Sequence, residues 1–96
     1  MSGQPTTGPW RVERWLESGP NMQVVGADDQ VVAIAAGLLR PVDELEANAR
    51  LIAAAPDLLA AVHELMDCGP SPRVREWRIA MAKAEAAVAK AEGRQP

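Results

Sequence analysis

Residues that favour strands and residues that favour helices occupy separate parts of this chain. β-Branched and aromatic side chains, which suit a pleated sheet, are concentrated in residues 10–36. Beyond residue 43 the apolar side chains recur every three or four positions, which is the spacing of one helix face. Strands followed by helices predict an α+β fold with a single domain over residues 10–92. The polar ends, residues 1–9 and 93–96, are expected to be a disordered N-terminal tail and a short C-terminal tail.

Two turn-forming segments divide the first part of the chain into three predicted strands. The first reads Ser-Gly-Pro-Asn at residues 18–21, and the second reads Gly-Ala-Asp-Asp-Gln at residues 26–30. In the second turn an aspartate carboxylate can accept hydrogen bonds from backbone amides and close a hairpin between residues 22–25 and 31–35. Residues 10–36 are therefore predicted to form a three-stranded antiparallel β-meander.

Trp10 and Trp15 differ in parity along the first predicted strand. They fall on opposite faces of the sheet unless a bulge near Arg14 turns Trp15 inward. Trp10 shares its face with Val12. Whichever of the two tryptophans is exposed is the best single candidate for a contact residue. Trp15 is included among the candidate partner-binding residues on that ground.

Residues 43–67 carry a helical pattern with one interruption. Asp43 is placed to cap this helix, and Glu46, three residues later, completes a capping box, with Pro41 just outside. Pro56 lacks a backbone donor, and its ring clashes with the carbonyl group four residues earlier. The helix is therefore expected either to kink at Pro56 or to end near Ala54 and restart.

A final helix is predicted for residues 72–92, with Ser71 as its cap. Its apolar positions step by three and four residues in a narrow, heptad-like seam: Val74, Trp77, Met81, Ala84, Val88 and Ala91. Such a seam suits packing against one other helix, so Trp77 is predicted to be a core residue. The kinked helix and the C-terminal helix are expected to form a helical hairpin on the sheet.

Charge is unevenly distributed along a chain whose formal net charge is −3. Residues 43–68 carry −5 and residues 69–96 carry +3, so the simplest interpretation is two helices that attract each other as neighbours. Two alternatives assign charged side chains to a partner: the basic Arg73, Arg75 and Arg78, or the acidic Asp43, Glu44 and Glu46. Three arginines are few for a nucleic-acid footprint, so nucleic acid is not the expected partner.

No residue pattern indicates a reactive centre. His63 is the only histidine and Cys68 the only cysteine, which leaves no zinc-site spacing and no internal disulfide. His63 stands four residues before Asp67, a spacing at which two side chains can pair on a helix surface. The glycines do not cluster into a phosphate-binding loop, and no apolar stretch is long enough to cross a membrane. We expect no enzymatic activity, no cofactor, no metal and no membrane association.

The segment Asn-Ala-Arg-Leu-Ile-Ala-Ala-Ala-Pro-Asp-Leu-Leu at residues 48–59 resembles a group of small proteins encoded by tailed bacteriophages and prophages. In that group a short tryptophan-containing β-hairpin, often with an aspartate-rich turn, precedes the helical segment. Residues 9–36 correspond to that hairpin, although the Asp-Asp turn departs from the common Asp-Gly turn. The resemblance extends over residues 10–67. It implies a phage gene product that acts in the bacterial host cytoplasm, and it carries over no catalytic residue.

Small accessory proteins of phages often bind a host macromolecule stoichiometrically, and some inhibit defence systems such as CRISPR-Cas. The resemblance and the missing reactive centre together favour a non-enzymatic accessory protein that binds a host protein or protein complex. An anti-CRISPR-like inhibitor is the sharpest version of this hypothesis. One alternative is a structural or self-associating protein that forms a homodimer through its C-terminal helix. The other is a small DNA-binding regulator that uses the basic final helix.

Overall fold

The chain folds into a three-stranded sheet followed by three helices. The computed structural model describes residues 3–14, 22–35, 41–68 and 73–94. In chain order the elements are β1 (Arg11–Arg14), β2 (Met22–Val25), β3 (Val31–Ala35), α1 (Val42–Ala53), α2 (Ala55–Asp67) and α3 (Val74–Glu92). The strands are antiparallel in the order β1-β2-β3, which confirms the predicted α+β meander. Trp15, the turn at residues 18–21 and the predicted Ser71 cap lie outside the described residues.

The turn between β2 and β3 is built by the two adjacent aspartates. The carboxylate of Asp28 accepts a hydrogen bond from the amide of Gln30 at 3.0 Å, as the sequence predicts for an Asx turn. Asp29 adopts a positive φ of 65°, a conformation that aspartate tolerates better than most residues. Its carboxylate accepts a hydrogen bond from Arg11 on β1 at 2.7 Å. The turn is therefore also tied to the first strand.

The predicted capping box at the start of α1 is wrong. Pro41 occupies the N-cap position, two residues earlier than the sequence predicts, and no side chain caps the helix. The carbonyl oxygen of Pro41 instead accepts two backbone hydrogen bonds from the first turn, at 3.0 and 3.1 Å. The Glu46 carboxylate is not available to complete a box with Asp43, because it pairs with Arg50 at 3.0 Å one turn further along the helix.

Pro56 follows a break at Ala54 that separates α1 from α2, which is the second of the two outcomes that the sequence left open. Backbone hydrogen bonds continue on both sides of the break, from the amide of Ala54 to Arg50 at 3.0 Å and from the amide of Leu58 to Ala54 at 2.8 Å. Pro56 lies in the first turn of α2, where its missing donor has no helical partner to lose. The two helices thus follow each other closely around a single local break.

The core lies between α1 and one face of the sheet. It consists of Met22, Val24, Ala35, Ala49 and Ala53, with Trp10, Val12, Ala33 and Ile52 packed against it. Leu45 is also buried on α1, so Leu45, Ala49 and Ile52 mark the face that α1 turns to the sheet. Leu51 of the same helix is exposed.

Helix α3 packs against α2 and against the end of α1, and among the described elements only α1 contacts the sheet. The predicted hairpin of helices is present, but it meets the sheet through α1 alone. The result is an elongated molecule with principal extents of 50, 34 and 20 Å. Eight of the twelve buried hydrophobic residues among those described are alanines. Close approach of alanine-rich helices therefore replaces large interlocking side chains in much of the interior.

The predicted core position of Trp77 is wrong. Its exposed fraction is 45%, and Val74 and Val88 of the same seam are exposed as well. The residues that α3 buries instead are Ala80, Ala87 and Ala89, of which Ala80 and Ala87 share one face. Each residue turns a helix by about 100°. The centre of this face is rotated from the centre of the predicted seam by less than that angle. The rotation brings small side chains into contact with α2 and leaves the larger ones beside the contact.

Candidate functional site

A groove of about 1010 Å³ runs between β1 and the three helices. The chain just before β1 and β1 itself form one wall, from Pro9 to Val12, and the helices form the other. Five alanines line the helical side: Ala53, Ala60, Ala61, Ala86 and Ala87. Because alanine projects only a methyl group, the helices leave open space between themselves and the strand.

Five basic side chains among the described residues line this groove: Arg11, Arg50, Lys83, Lys90 and Arg94. They come from β1, α1, α3 and the residue after the helix cap, so the fold gathers cations that are far apart in sequence. Glu46 and Asp57 are the acidic residues in the same lining. The groove is thus rich in positive charge although the chain as a whole carries −3.

Each of these cations contacts a carboxylate. Lys90 donates to Asp57 at 2.6 Å, and Lys83 pairs with Glu64. These two pairs join α3 to α2, which confirms that the basic and acidic helices attract each other as neighbours. Arg50 pairs with Glu46, Arg94 with Glu92, and Arg11 with both Asp29 and Glu13. The positive groups of the groove are therefore all paired with carboxylates that are themselves partly exposed to solvent.

Arg11 of the groove forms hydrogen bonds with three different residues. Its guanidinium donates to the Asp29 carboxylate at 2.7 Å, to Glu13 at 3.0 Å and to the carbonyl oxygen of Gly26 at 3.3 Å. Hydrogen bonds from Asp29 and then Glu13 raise the pKa of Arg11 above its ordinary value, so the group stays charged. Glu13 also accepts a hydrogen bond from Gln23 at 3.2 Å. This network holds the β1 wall in place.

Arg50 differs from the others because its Nε is buried and has no hydrogen-bond partner. The terminal nitrogen Nη1 donates to Glu46, while Nε lies beneath Gly93 at the end of α3. The side chain as a whole remains one-third exposed. The Arg50 side chain therefore lies between the groove and the end of α3.

The acidic candidates from the sequence are separated by the fold. Asp43 and Glu44 lie exposed in the first turn of α1, and only Glu46 faces the groove. Glu46 there supports Arg50 directly, so its carboxylate belongs to the groove's own charge pattern.

The basic candidates Arg73, Arg75 and Arg78 are all exposed near the start of α3. Cys68, at the end of α2, lies beside this region, with its Sγ 3.8 Å from the carbonyl oxygen of Glu76. The first turn of α1 is at the other end of the helical layer, so the structure does not bring the acidic and basic sets together. Trp15 falls outside the described residues.

The residues considered for chemistry do not assemble into a reacting group. His63 is exposed and borders a small apolar hollow with Pro5 and Pro56, and no ion pair joins it to Asp67. Within residues 3–14, 22–35, 41–68 and 73–94, no three histidine, cysteine or carboxylate side chains are close enough to hold a metal ion. No helix in the described part of the chain is both long and apolar enough to span a membrane.

Sequence reasoning missed the groove because its cations come from elements with no common sequence motif. One signal was available. Lys83 and Lys90 are seven residues apart, which places them along one side of α3. Their convergence with Arg11 and Arg50 depends on how α3 crosses α1, and that could not be read from the chain.

Comparison with known proteins places the chain among phage proteins. The sequence model of a family described as Salmonella phage P22 protein Y8K6 matches residues 1–95, which include every residue of the groove. No curated protein and no solved structure matches the chain. The family match covers more of the chain than residues 10–67, on which the resemblance to phage proteins rested. The chain belongs to the Salmonella phage P22 protein Y8K6 family.

Proposed function

We propose that this phage protein is a non-enzymatic accessory factor that binds an acidic surface of a host protein through its basic groove. Its site of action on this proposal is the bacterial host cytoplasm. The observation that carries the proposal is the convergence of Arg11, Arg50, Lys83, Lys90 and Arg94 on one groove in an acidic chain. A surface opposite in sign to the rest of its own protein favours association with a partner of complementary charge.

When a partner binds, its carboxylates can take the place of the internal carboxylates that pair with the groove cations. Lys83 and Arg94 are more than half exposed, and their partners Glu64 and Glu92 are partly exposed too. Exposed pairs of this kind are weak, about 0 to 1 kcal/mol each, so a partner's carboxylates can replace the internal ones at little cost. The groove's volume of about 1010 Å³ also leaves room for a projecting loop or helix end.

The same pairing favours a protein over a nucleic acid. Affinity for nucleic acid depends on neutralising many phosphates with cations that release counterions. Each groove cation is paired with a carboxylate, and two of these carboxylates, Glu46 and Asp57, lie inside the groove itself. Carboxylates set among other side chains on an acidic protein surface match such cations better than a uniform phosphate backbone does.

Inhibition of a host defence complex, in the manner of an anti-CRISPR protein, is the sharpest form of the proposal. Membership of a phage protein family supports it, because a phage gene product gains from blocking the machinery that degrades phage nucleic acid. Stoichiometric binding is sufficient for such inhibition and needs no reactive centre.

The direct test is affinity capture from a lysate of the bacterial host. The bait is the full-length tagged chain, compared with a Lys83→Glu/Arg94→Glu variant and with an Arg75→Glu control. Arg75 is exposed on α3 away from the groove. We expect the wild type and the control to retain the same host protein and the groove variant to lose it. Equal retention by the groove variant, or loss with the control alone, contradicts binding through the groove. Retention of nucleic acid in place of protein contradicts the assignment of the partner class.

The defence-inhibitor version has its own test. Cells with an active CRISPR-Cas system that targets an indicator phage are made to express the chain, and plaque formation is counted. We expect plaques to rise by at least tenfold with the wild type and not with the groove variant. Unchanged immunity together with a groove-dependent host partner would reject the inhibitor version and leave the binding function standing.

A further inference from the structure

The two sides of the α2–α3 hairpin differ in chemistry. Glu64–Lys83 and Asp57–Lys90 span the side that faces the groove. On α3 the two lysines lie on one side of the face that contains the buried Ala80 and Ala87. Helical spacing places Trp77 and Val88 on the other side of that face. β1 lies across the groove from the ion-paired side, so the opposite side of the hairpin faces away from the sheet.

That opposite side is apolar on both helices. By the same helical spacing it carries Leu58, Val62, Leu65 and Met66 from α2 and Val74, Trp77, Met81 and Val88 from α3. Leu58, Leu65 and Met81 are half-buried along the contact between the helices. Val62, Met66, Val74, Trp77 and Val88 are exposed, with Met66 and Val74 at 71% and 68%. We call this surface the apolar face.

The two ion pairs show which residues of the two helices are level with each other. Because Glu64 is level with Lys83 and Asp57 with Lys90, the antiparallel helices place Met66 level with Met81. These methionines mark the middle of the apolar face. On α3, Val74 and Val88 lie seven residues to either side of Met81, so the α3 half of the face is symmetric about this point.

We propose that the apolar face is the interface with a second copy of this chain. In this dimer a two-fold axis crosses the hairpin at the level of Met66 and Met81. The two hairpins stack on each other, so that α2 packs antiparallel to α2 of the second copy and α3 packs antiparallel to α3. Val74 of one copy then lies opposite Val88 of the other, and Trp77 packs near the centre. The arrangement is a four-helix layer with an apolar interior. It leaves the groove of each copy open, so it is independent of the proposed host partner.

Charge at the edge of the face supports this partner and this orientation. Arg78 and Glu85 lie beyond the apolar residues on the outer side of α3. Rotation about an axis at Met81 brings Arg78 of one copy within one residue step of Glu85 of the other. Opposite charges thus meet twice at the rim, as a symmetric interface requires.

Sedimentation equilibrium of the full-length chain over a series of concentrations tests the interface. We expect a reversible dimer of twice the 10.3 kDa chain mass. Trp77→Gln is expected to weaken dimerisation by at least tenfold, because aromatic residues at interface centres dominate binding energy. Ile79→Gln is the matched control, since Ile79 is 50% exposed on α3 but borders Glu64 on the ion-paired side. It is expected to leave dimerisation within twofold of the wild type.

A charge exchange tests the orientation separately from burial. Arg78→Glu and Glu85→Arg are each expected to weaken the dimer several-fold at low salt, and the double variant to restore it. Circular dichroism of every variant checks that the helices are intact. A wild type that stays monomeric at all concentrations overturns the proposal, as does equal weakening by Ile79→Gln. A dimer that is insensitive to Trp77→Gln and to both single charge reversals overturns it too.

Discussion

Arg50 of α1 lies directly beneath Gly93, the residue that ends α3. A Cβ atom built on Gly93 would be 2.5 Å from Nε of Arg50. Gly93 has a φ of 76°, and the last turn is closed by hydrogen bonds from Gly93 to Lys90 at 3.2 Å and from Arg94 to Ala89 at 2.8 Å. The end of α3 is thereby fixed over the groove, and Arg94 follows in the groove lining.

Replacing Gly93 by alanine is expected to destabilise the protein by about 1 to 2 kcal/mol. The left-handed conformation costs a residue with a Cβ roughly that much. The Arg50 side chain must also move, which costs less because its far end is flexible. Gly3→Ala is the control, since nothing lies within 4 Å of a Cβ there. Thermal unfolding of both variants checks this, with a melting temperature about 4 to 8 °C lower per kcal/mol. Equal stability of the two variants contradicts the role of Gly93.

The placement of α1 on the sheet predicts a sharp difference between two leucines of that helix. Leu45 is 1% exposed and Leu51 is 57% exposed. Leu45→Ala is expected to lower the free energy of unfolding by about 2 to 5 kcal/mol, whereas Leu51→Ala should change it by about 0.5 kcal/mol or less. Denaturant titration measures both. Similar losses at the two positions would mean that α1 buries a different face.

Pro56 should tolerate alanine, because it lies in the first turn of α2 and blocks no helical hydrogen bond that α2 needs. We expect Pro56→Ala to change the free energy of unfolding by less than about 1 kcal/mol. Ala60→Pro, placed inside the same helix, is expected to cost about 3 kcal/mol. A large loss from Pro56→Ala, measured by urea unfolding, argues that the break at Ala54 is itself required for the fold.

The contact between Lys90 and Asp57 should contribute modestly to stability. Both side chains are more than one-third exposed, so we expect a coupling energy of about 1 kcal/mol or less. A double-mutant cycle with Lys90→Met and Asp57→Asn measures it, and the coupling should fall as salt is added. A coupling that is unaffected by salt shows that the pair is shielded from solvent to a degree its exposure does not suggest.

The sequence predicted the order and type of the elements because local chemistry decides them. The bounds of β2 and β3 follow from the Asp-Asp turn, and the break at Ala54 follows from Pro56. The start of α1 was misplaced because Asp43 and Glu46 have the spacing of a capping box. The Glu46 carboxylate pairs instead with Arg50, one turn further along the same helix.

The buried face of α3 could not be predicted from the size of its residues. Hydrophobic periodicity favours Trp77 as core, but a helix that approaches α2 closely needs alanine at the contact. The groove was missed for a related reason. Its cations are recognisable as basic residues, but only the crossing of α3 over α1 brings Lys90 and Arg94 near Arg50.

The most direct measurement of the central claim is native mass spectrometry of the complex that the tagged chain captures from host cells. The account predicts an assembly with two copies of this chain and a host protein, lost in the Lys83→Glu/Arg94→Glu variant. A wild-type chain recovered without any host protein, or a groove variant that carries the same protein in the same amount, contradicts it.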